Sequence, residues 1–282
     1  MTFVRIGGLA HHVAVDGHGP VCVLSAGLGL AWFDWDPVVP LLAPHRTVVR
    51  FDRPGHGLSQ GTTTPPTPAG EADRIAALLD ALRLPGPVTV VGHSIAGFHA
   101  EAFARLHPDR AAALVLVDSS VEEHPRPGRL GWTVPAGTAL TALGLPVALG
   151  PALRRLAVRP SPATALDRDA PRRPFPPTPP AEVRRVYRTS RVWRGALREN
   201  ASYGSVAAAL DALRRARPLP PGLPVTVLAA PDGSARWEAR QRALARRLGA
   251  RYEAAQPSGH LVMRDDPGTL ARVVLETGQE PA

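Results

Sequence analysis

A serine able to act as a nucleophile stands in the stretch Val88-Thr89-Val90-Val91-Gly92-His93-Ser94-Ile95-Ala96-Gly97. The valine-rich start reads as a short buried strand, and residues 98–105 read as an amphipathic helix. Between them the chain must turn sharply on small residues. Gly92 lies two positions before Ser94, with Ala96 and Gly97 following, a small-residue variant of the Gly-x-Ser-x-Gly pattern. Strand, tight turn and helix together form a nucleophile elbow, which lifts the serine Oγ above the sheet edge. The backbone N–H of Ile95 then points at a bound carbonyl oxygen, as one donor of an oxyanion hole. A serine hydroxyl is a poor nucleophile until a base removes its proton, and imidazole titrates near working pH. A carboxylate must orient that imidazole and stabilise its cation. The chain offers ten histidines for the task.

The elements that must hold such a site follow in order. Residues 3–6 and 12–15 read as strands of an antiparallel hairpin around Gly7-Gly8. Continuous apolar runs at 21–24, 47–51, 88–91, 114–117 and 225–228 read as strands covered on both faces, and 251–254 as a weaker last one. Residues 32–42 suggest a loop and a short helix. Helical spacing marks 71–82, 98–105, 237–248 and 269–275. Strands alternating with helices predict a mostly parallel sheet. The pattern changes over 121–219, where no strand is legible. Helices are expected there over 139–156, 182–199 and 207–217, with a proline-rich loop over 159–180. The expected division is therefore a core of residues 1–120 and 220–282, interrupted by a helical, arginine- and proline-rich lid over 121–219.

Composition excludes several alternatives. The 282 residues are 44% hydrophobic, enough for one large α/β domain with an insertion. The single cysteine, Cys22, lies in an apolar run and reads as core; it excludes an internal disulfide or a multi-cysteine metal site. The 33 basic residues are all arginine, which excludes lysine Schiff-base or lysine general-base chemistry. The net charge is +9, yet residues 119–217 hold 17 arginines against 7 carboxylates, so the excess sits in the inserted segment. Such a patch either draws anions or is a solvated surface. Neither clustered aromatics nor a recognition motif accompanies it, so nucleic acid is not an expected partner. No start resembling a signal peptide and no apolar run of membrane-spanning length are seen, so neither membrane insertion nor export is expected and the cytoplasm is the expected location.

The motifs Ala26-Gly27-Leu28-Gly29, Phe51-Asp52-Arg53-Pro54-Gly55-His56-Gly57-Leu58-Ser59, Gly92-His93-Ser94 and Ser258-Gly259-His260-Leu261-Val262-Met263-Arg264-Asp265-Asp266-Pro267 occur in one order. The chain resembles the α/β-hydrolase superfamily with a lid, across residues 1–120 and 220–280. The resemblance implies an α/β-hydrolase fold, a mostly parallel central sheet flanked by helices. It implies the chain order Ser, acid, His, which selects His260 as base. It also implies that the second oxyanion donor is the N–H of Leu28, on the loop where the family often has His-Gly; here Ala26 replaces the histidine. Two aspartates suit the acid. Asp232 follows the strand where most members carry it, one residue early, and is the first choice. Asp118, at the end of 114–117, occupies the position some members use instead. His93 is expected to point away from the serine, His56 to shape its loop, and Asp265 and Asp266 to cap the closing helix.

The expected activity is hydrolysis of a carboxylic ester-type small molecule through an acyl-enzyme, with no metal and no organic cofactor. Epoxide hydrolase and dehalogenase chemistry of the related type uses an aspartate nucleophile, and this elbow carries serine. Lactonase, carbon–carbon bond hydrolase and cofactor-free perhydrolase activities share the same triad, and a ligand-binding protein that retains it is a further alternative. Val134, Leu140, Leu143, Leu145, Val147 and Leu149 either face the pocket, favouring a substrate with an apolar part, or form the lid's own core.

Overall fold

The computed structural model describes residues 2–84, 86–126, 139, 141, 145–157, 178–231 and 234–278. Its strands are β1 (Thr2–Ile6), β2 (Leu9–Asp16), β3 (Val21–Ser25), β4 (Thr47–Phe51), β5 (Val88–His93), β6 (Ala111–Val117), β7 (Val225–Ala229) and β8 (Arg251–Ala254). They form one eight-stranded sheet in the order β1-β2-β4-β3-β5-β6-β7-β8. The first three in that order pair antiparallel, and every pairing from β4 through β8 is parallel. This is the α/β-hydrolase fold, and it meets the expectation of a mostly parallel sheet entered by a hairpin.

The helices are α1 (Val39–Leu42), α2 (Pro68–Ala81), α3 (Ala96–Leu106), α4 (Leu145–Ala157), α5 (Pro180–Tyr187), α6 (Ser190–Ala216), α7 (Ala235–Leu248), α8 (Val262–Asp265) and α9 (Pro267–Glu276). Side chains alternate across the sheet, so each strand feeds two cores. Val90, Leu114 and Leu116 pack with Ile75 of α2, Phe103 of α3 and Leu210 of α6. Val91, Val115 and Val117 pack with Leu42 of α1, Val262 of α8 and Val273 of α9. Local chemistry sets the helix ends. Thr67 caps α2 by accepting the Gly70 N–H at 3.0 Å, and Pro68 occupies the first turn, a cap worth about 1 kcal/mol. Ser234 caps α7, which ends on left-handed Gly249. Cys22 is fully buried in the second core, where burial pushes its thiol up to about 12, so it rests as a neutral core side chain. None of the helices among the described residues is long and apolar enough to cross a membrane.

The segment between β6 and β7 departs from the expected helix boundaries. The chain breaks at Arg188 and Thr189, and α6 then runs unbroken from Ser190 through Gly204 to Ala216. A glycine inside a helix costs about 1 kcal/mol, and α6 holds two, Gly195 and Gly204. Burial of Ser202, Val206 and Leu210 overrides it, with the Tyr203 ring 5.7 Å from that of Phe98. Residues 158–177, most of the expected proline-rich loop, lie outside the described residues, as do Val134, Leu140 and Leu143. Leu149 is half exposed.

The arginines of this segment are not simply a solvated surface. Arg154 pairs with buried Asp34, and Arg214 with Glu101. Arg191 donates to the carbonyls of Gly57 (2.8 Å), His56 (3.3 Å) and Ser59, and Arg198 donates to that of Thr62. Four of these arginines thus face inward and bind the segment to the sheet domain.

A pH prediction arises from α3. His99 is fully buried, neither ring nitrogen finds a hydrogen-bond partner among the described residues, and burial lowers it to about 4. Its unfolded counterpart titrates near 6.5. Above that value both states are neutral and His99 adds no pH dependence. Between about 6.5 and 4 the unfolded chain binds a proton that the fold refuses, so stability falls with pH, by about 3 kcal/mol at most. Urea unfolding of wild type and His99→Leu at pH 7.5 and pH 4.5 checks this: the variant should lose less stability on acidification.

Candidate active site

Ser94 occupies the turn between β5 and α3 with φ of 55°, one of three described non-glycine residues at positive φ. Neighbouring strands hold it there. Its N–H donates to the Val117 carbonyl at 3.1 Å, and its carbonyl accepts from Gly97 N–H at 3.0 Å and Ser120 N–H at 3.1 Å. A Cβ on Gly92 would fall onto the Ala96 carbonyl, backbone that cannot swing aside. Glycine is needed there because the first turn of α3 folds back over the end of β5. Ala96, at the variant position of the motif, is fully buried.

His260 lies between β8 and α8 with half of its side chain exposed. Its Nδ1 lies 2.6 Å from Asp118 Oδ2. Asp118, at the carboxyl end of β6, is buried, with φ of 38°. Its other oxygen accepts from the Ala230 N–H at 2.9 Å and from Trp237 Nε1 at 2.7 Å. The carboxylate is therefore engaged by three donor groups, which fixes which oxygen faces the imidazole. With the Nδ1 proton bonded to Asp118, Nε2 of a neutral His260 is free to accept a proton. Asp232 lies outside the described residues.

His93 does not merely point away. Its Nε2 donates to the His260 carbonyl at 2.8 Å, and the two rings sit 4.6 Å apart. Burial, reinforced by nearby His260, holds His93 well below the ordinary histidine range, so it acts as a neutral donor bracing the His260 loop against the elbow. Asp265 also braces this loop, accepting the Gly259 N–H at 3.0 Å. Asp266 alone caps α9, by accepting the Thr269 N–H. Among the described residues Ser94 Oγ and His260 Nε2 make no hydrogen bond to each other; such bonds commonly close only when substrate is bound.

The loop of residues 26–29 crosses directly over the elbow. A Cβ on Gly27 would come 2.7 Å from His93 Nδ1 and 3.1 Å from Ser94 Cβ. Leu28 is part-exposed beside it, while Ile95 is buried at the start of α3. Among the described residues neither the Leu28 nor the Ile95 N–H donates to a protein backbone acceptor. The Asp52–Ser59 loop is organised by Asp52, whose carboxylate accepts the N–H groups of Trp32 and Leu58, each at 3.0 Å, and lies 2.9 Å from His12 Nδ1. No group of three or more His, Cys, Asp or Glu side chains is placed to hold a metal among the described residues.

Residues 18–273 match the model of the alpha/beta hydrolase family. The chain belongs to that family. One similar protein is the pimeloyl-[acyl-carrier protein] methyl ester esterase of Chromobacterium violaceum, 39% identical over 104 residues, which are 37% of this chain and 39% of the esterase. Another is the putative carbamate hydrolase RutD of Caulobacter sp. strain K31, 39% identical over 120 residues, 40% of this chain and 43% of the relative. The chain thus spans about two fifths of the length of these curated relatives. Among solved structures, the enol-lactonase of Burkholderia xenovorans LB400 aligns over 98% of both chains with a TM-score of 0.65 at 22% identity, a likeness of fold alone.

Four side chains in or beside this arrangement, His93, Trp237 and the buried ion pair of Arg53 with Glu199, were not singled out as site residues from the sequence. His93 and Arg53 sit inside recognisable motifs, but their partners come from distant segments. Trp237 reads as an apolar helix position, and Glu199 as one carboxylate among arginines.

Proposed function

We propose that this alpha/beta hydrolase cleaves carboxylic ester-type small molecules through an acyl-enzyme. The observation that carries this reading is the Asp118–His260 contact at 2.6 Å, beside a serine held in a left-handed turn. Ser94 is the nucleophile, His260 the base and Asp118 the acid. His260 takes the Ser94 proton as Oγ attacks the ester carbon. The negative charge on the former carbonyl oxygen is met by the N–H groups of Ile95 and Leu28. The same proton then passes to the leaving alcohol, whose departure leaves the acyl group on Ser94. His260 next deprotonates a water, which releases the acid and restores the serine. Asp118 stabilises the imidazolium in both halves without itself taking the proton.

The inserted segment of residues 121–219 serves as the lid over this site. The Tyr187 hydroxyl of α5 donates to the Gly29 carbonyl at 2.8 Å, on the loop that carries Leu28, which supports that placement. The esterase and carbamate hydrolase names of the relatives agree with attack on an acyl carbon bearing a heteroatom leaving group. A substrate with an apolar part suits Leu28, which is part-exposed beside Ser94.

A fluorophosphonate and intact mass measurement test the assignment. Wild-type protein should gain one adduct, and Ser94→Ala none. An unmodified wild type, or a variant still labelled, overturns it.

A further inference from the structure

Arg53, in the loop after β4, is buried and uses its whole guanidinium on three acceptor groups. Nε and Nη2 each bond one oxygen of Glu199, both at 2.8 Å, a bidentate fork. Nη1 donates to the Ala26 carbonyl, and Nη2 also donates to the Gly27 carbonyl at 3.0 Å. Glu199 belongs to α6, in the segment between β6 and β7, and is itself buried. His56 Nε2 lies 3.2 Å from its Oε2. Burial alone would raise the Glu199 carboxyl; the charges of Arg53 and His56 outweigh it and hold the group far below the usual carboxylate range. Glu199 is thus an anion in a buried site, matched to a cation from the other part of the fold.

The geometry of the peptide unit gives this pair a consequence at the reaction centre. The Gly27 carbonyl and the Leu28 N–H belong to one peptide group, and the described residues hold a cis peptide only at Gln256–Pro257. In a trans peptide the carbonyl and the N–H point in opposite directions across a rigid plane. An arginine that grips the Gly27 carbonyl from below therefore aims the Leu28 N–H away from itself. The Leu30 N–H, 3.2 Å from the same carbonyl, is a weaker second hold.

We propose that Arg53 is a positioning residue for the oxyanion hole, and that Glu199 holds it in place from the inserted helix, so that the hole is set only when that helix is docked. The inference rests on the reading of the Leu28 N–H as an oxyanion donor. It makes the inserted segment part of the catalytic apparatus as well as a cover. If α6 lifted away, Arg53 would lose its counter-charge in a buried site and would have to turn outward, releasing both carbonyls. The Gly27–Leu28 peptide, flanked by glycine, is then free to rotate.

The test uses a charge-balanced double variant, Arg53→Met/Glu199→Leu, which removes the pair without stranding a buried ion. Glu199→Gln is the second variant, used for the same measurements if the double variant does not fold by circular dichroism and thermal unfolding. Each is compared with wild type on a p-nitrophenyl ester, on inhibition by a trifluoromethyl ketone that forms an oxyanion adduct with serine, and on inhibition by the matching secondary alcohol. The expected result is a loss in kcat of about 10- to 100-fold, smaller than outright removal of a donor. KM and alcohol inhibition should stay within about threefold, while ketone affinity falls in step with kcat. An unchanged kcat and ketone affinity in a folded variant overturns the proposal. So does an equal weakening of ketone and alcohol, which marks general damage to the pocket. If wild type neither turns over the ester nor prefers the ketone, the hydrolase reading fails instead. A crystal structure of the variant then decides: a rotated Gly27–Leu28 peptide upholds the positioning role, and an unchanged one overturns it.

Discussion

Asp118→Asn should lower kcat on an activated ester by about 10,000-fold while leaving the fold intact. Asp118 Oδ1 accepts from Ala230 N–H and Trp237 Nε1, and Oδ2 faces His260 Nδ1. An asparagine has one acceptor oxygen and one donor NH2. Its oxygen must stay with the two donors at the Oδ1 position, since an NH2 there would meet two N–H groups head-on. The NH2 then faces His260 Nδ1 and turns that nitrogen into an acceptor. The imidazole proton moves to Nε2, the atom that must take the Ser94 proton, so the base is in the wrong tautomer. The measurement is steady-state kcat across pH 6–9, with Asp232→Asn in parallel. The second variant should stay within a few-fold of wild type, because His260 Nδ1 has a single proton to give and Asp118 receives it. A large loss from Asp232→Asn with a small one from Asp118→Asn would overturn the assignment of the acid.

The second large effect concerns Ser94 and His260 as a unit. Ser94→Ala and His260→Ala should each cost about 10,000- to 1,000,000-fold in kcat, and the double variant no more than the worse single one. The serine oxygen has no use for a base once removed, and the imidazole has no proton to take once the serine is gone. A residual rate about 1,000-fold above water should survive in all three variants, because the Ile95 and Leu28 N–H groups remain in place. Single and double variants measured on one p-nitrophenyl ester check this. Losses that multiply would mean that the two side chains act independently, and the acyl-enzyme mechanism would be wrong.

The elbow was legible in the sequence because its determinants are short-range. A valine run, Gly92 where α3 folds back, Ser94 and small followers all lie within ten residues, and each is required by local backbone geometry. The parallel sheet was legible for a similar reason, since strands buried on both faces are written as unbroken apolar runs. The boundaries of α6 were not. The expected helices stop at 199 and resume at 207, and only the burial of Ser202, Val206 and Leu210 joins them into one.

The order of Ser94, the two candidate aspartates and His260 along the chain, and the chemistry that those residue types permit, were determined by the sequence by itself. Which aspartate meets His260 was decided by tertiary structure. In sequence, Asp118 comes directly after β6 and Asp232 comes shortly after β7, its parallel neighbour, so local sequence cannot separate them; the fold brings His260 Nδ1 onto Asp118. The link between Arg53 and Glu199, 146 positions apart, is of the same kind. A buried ion pair is a property of two surfaces brought together and dried, and neither residue carries that information alone.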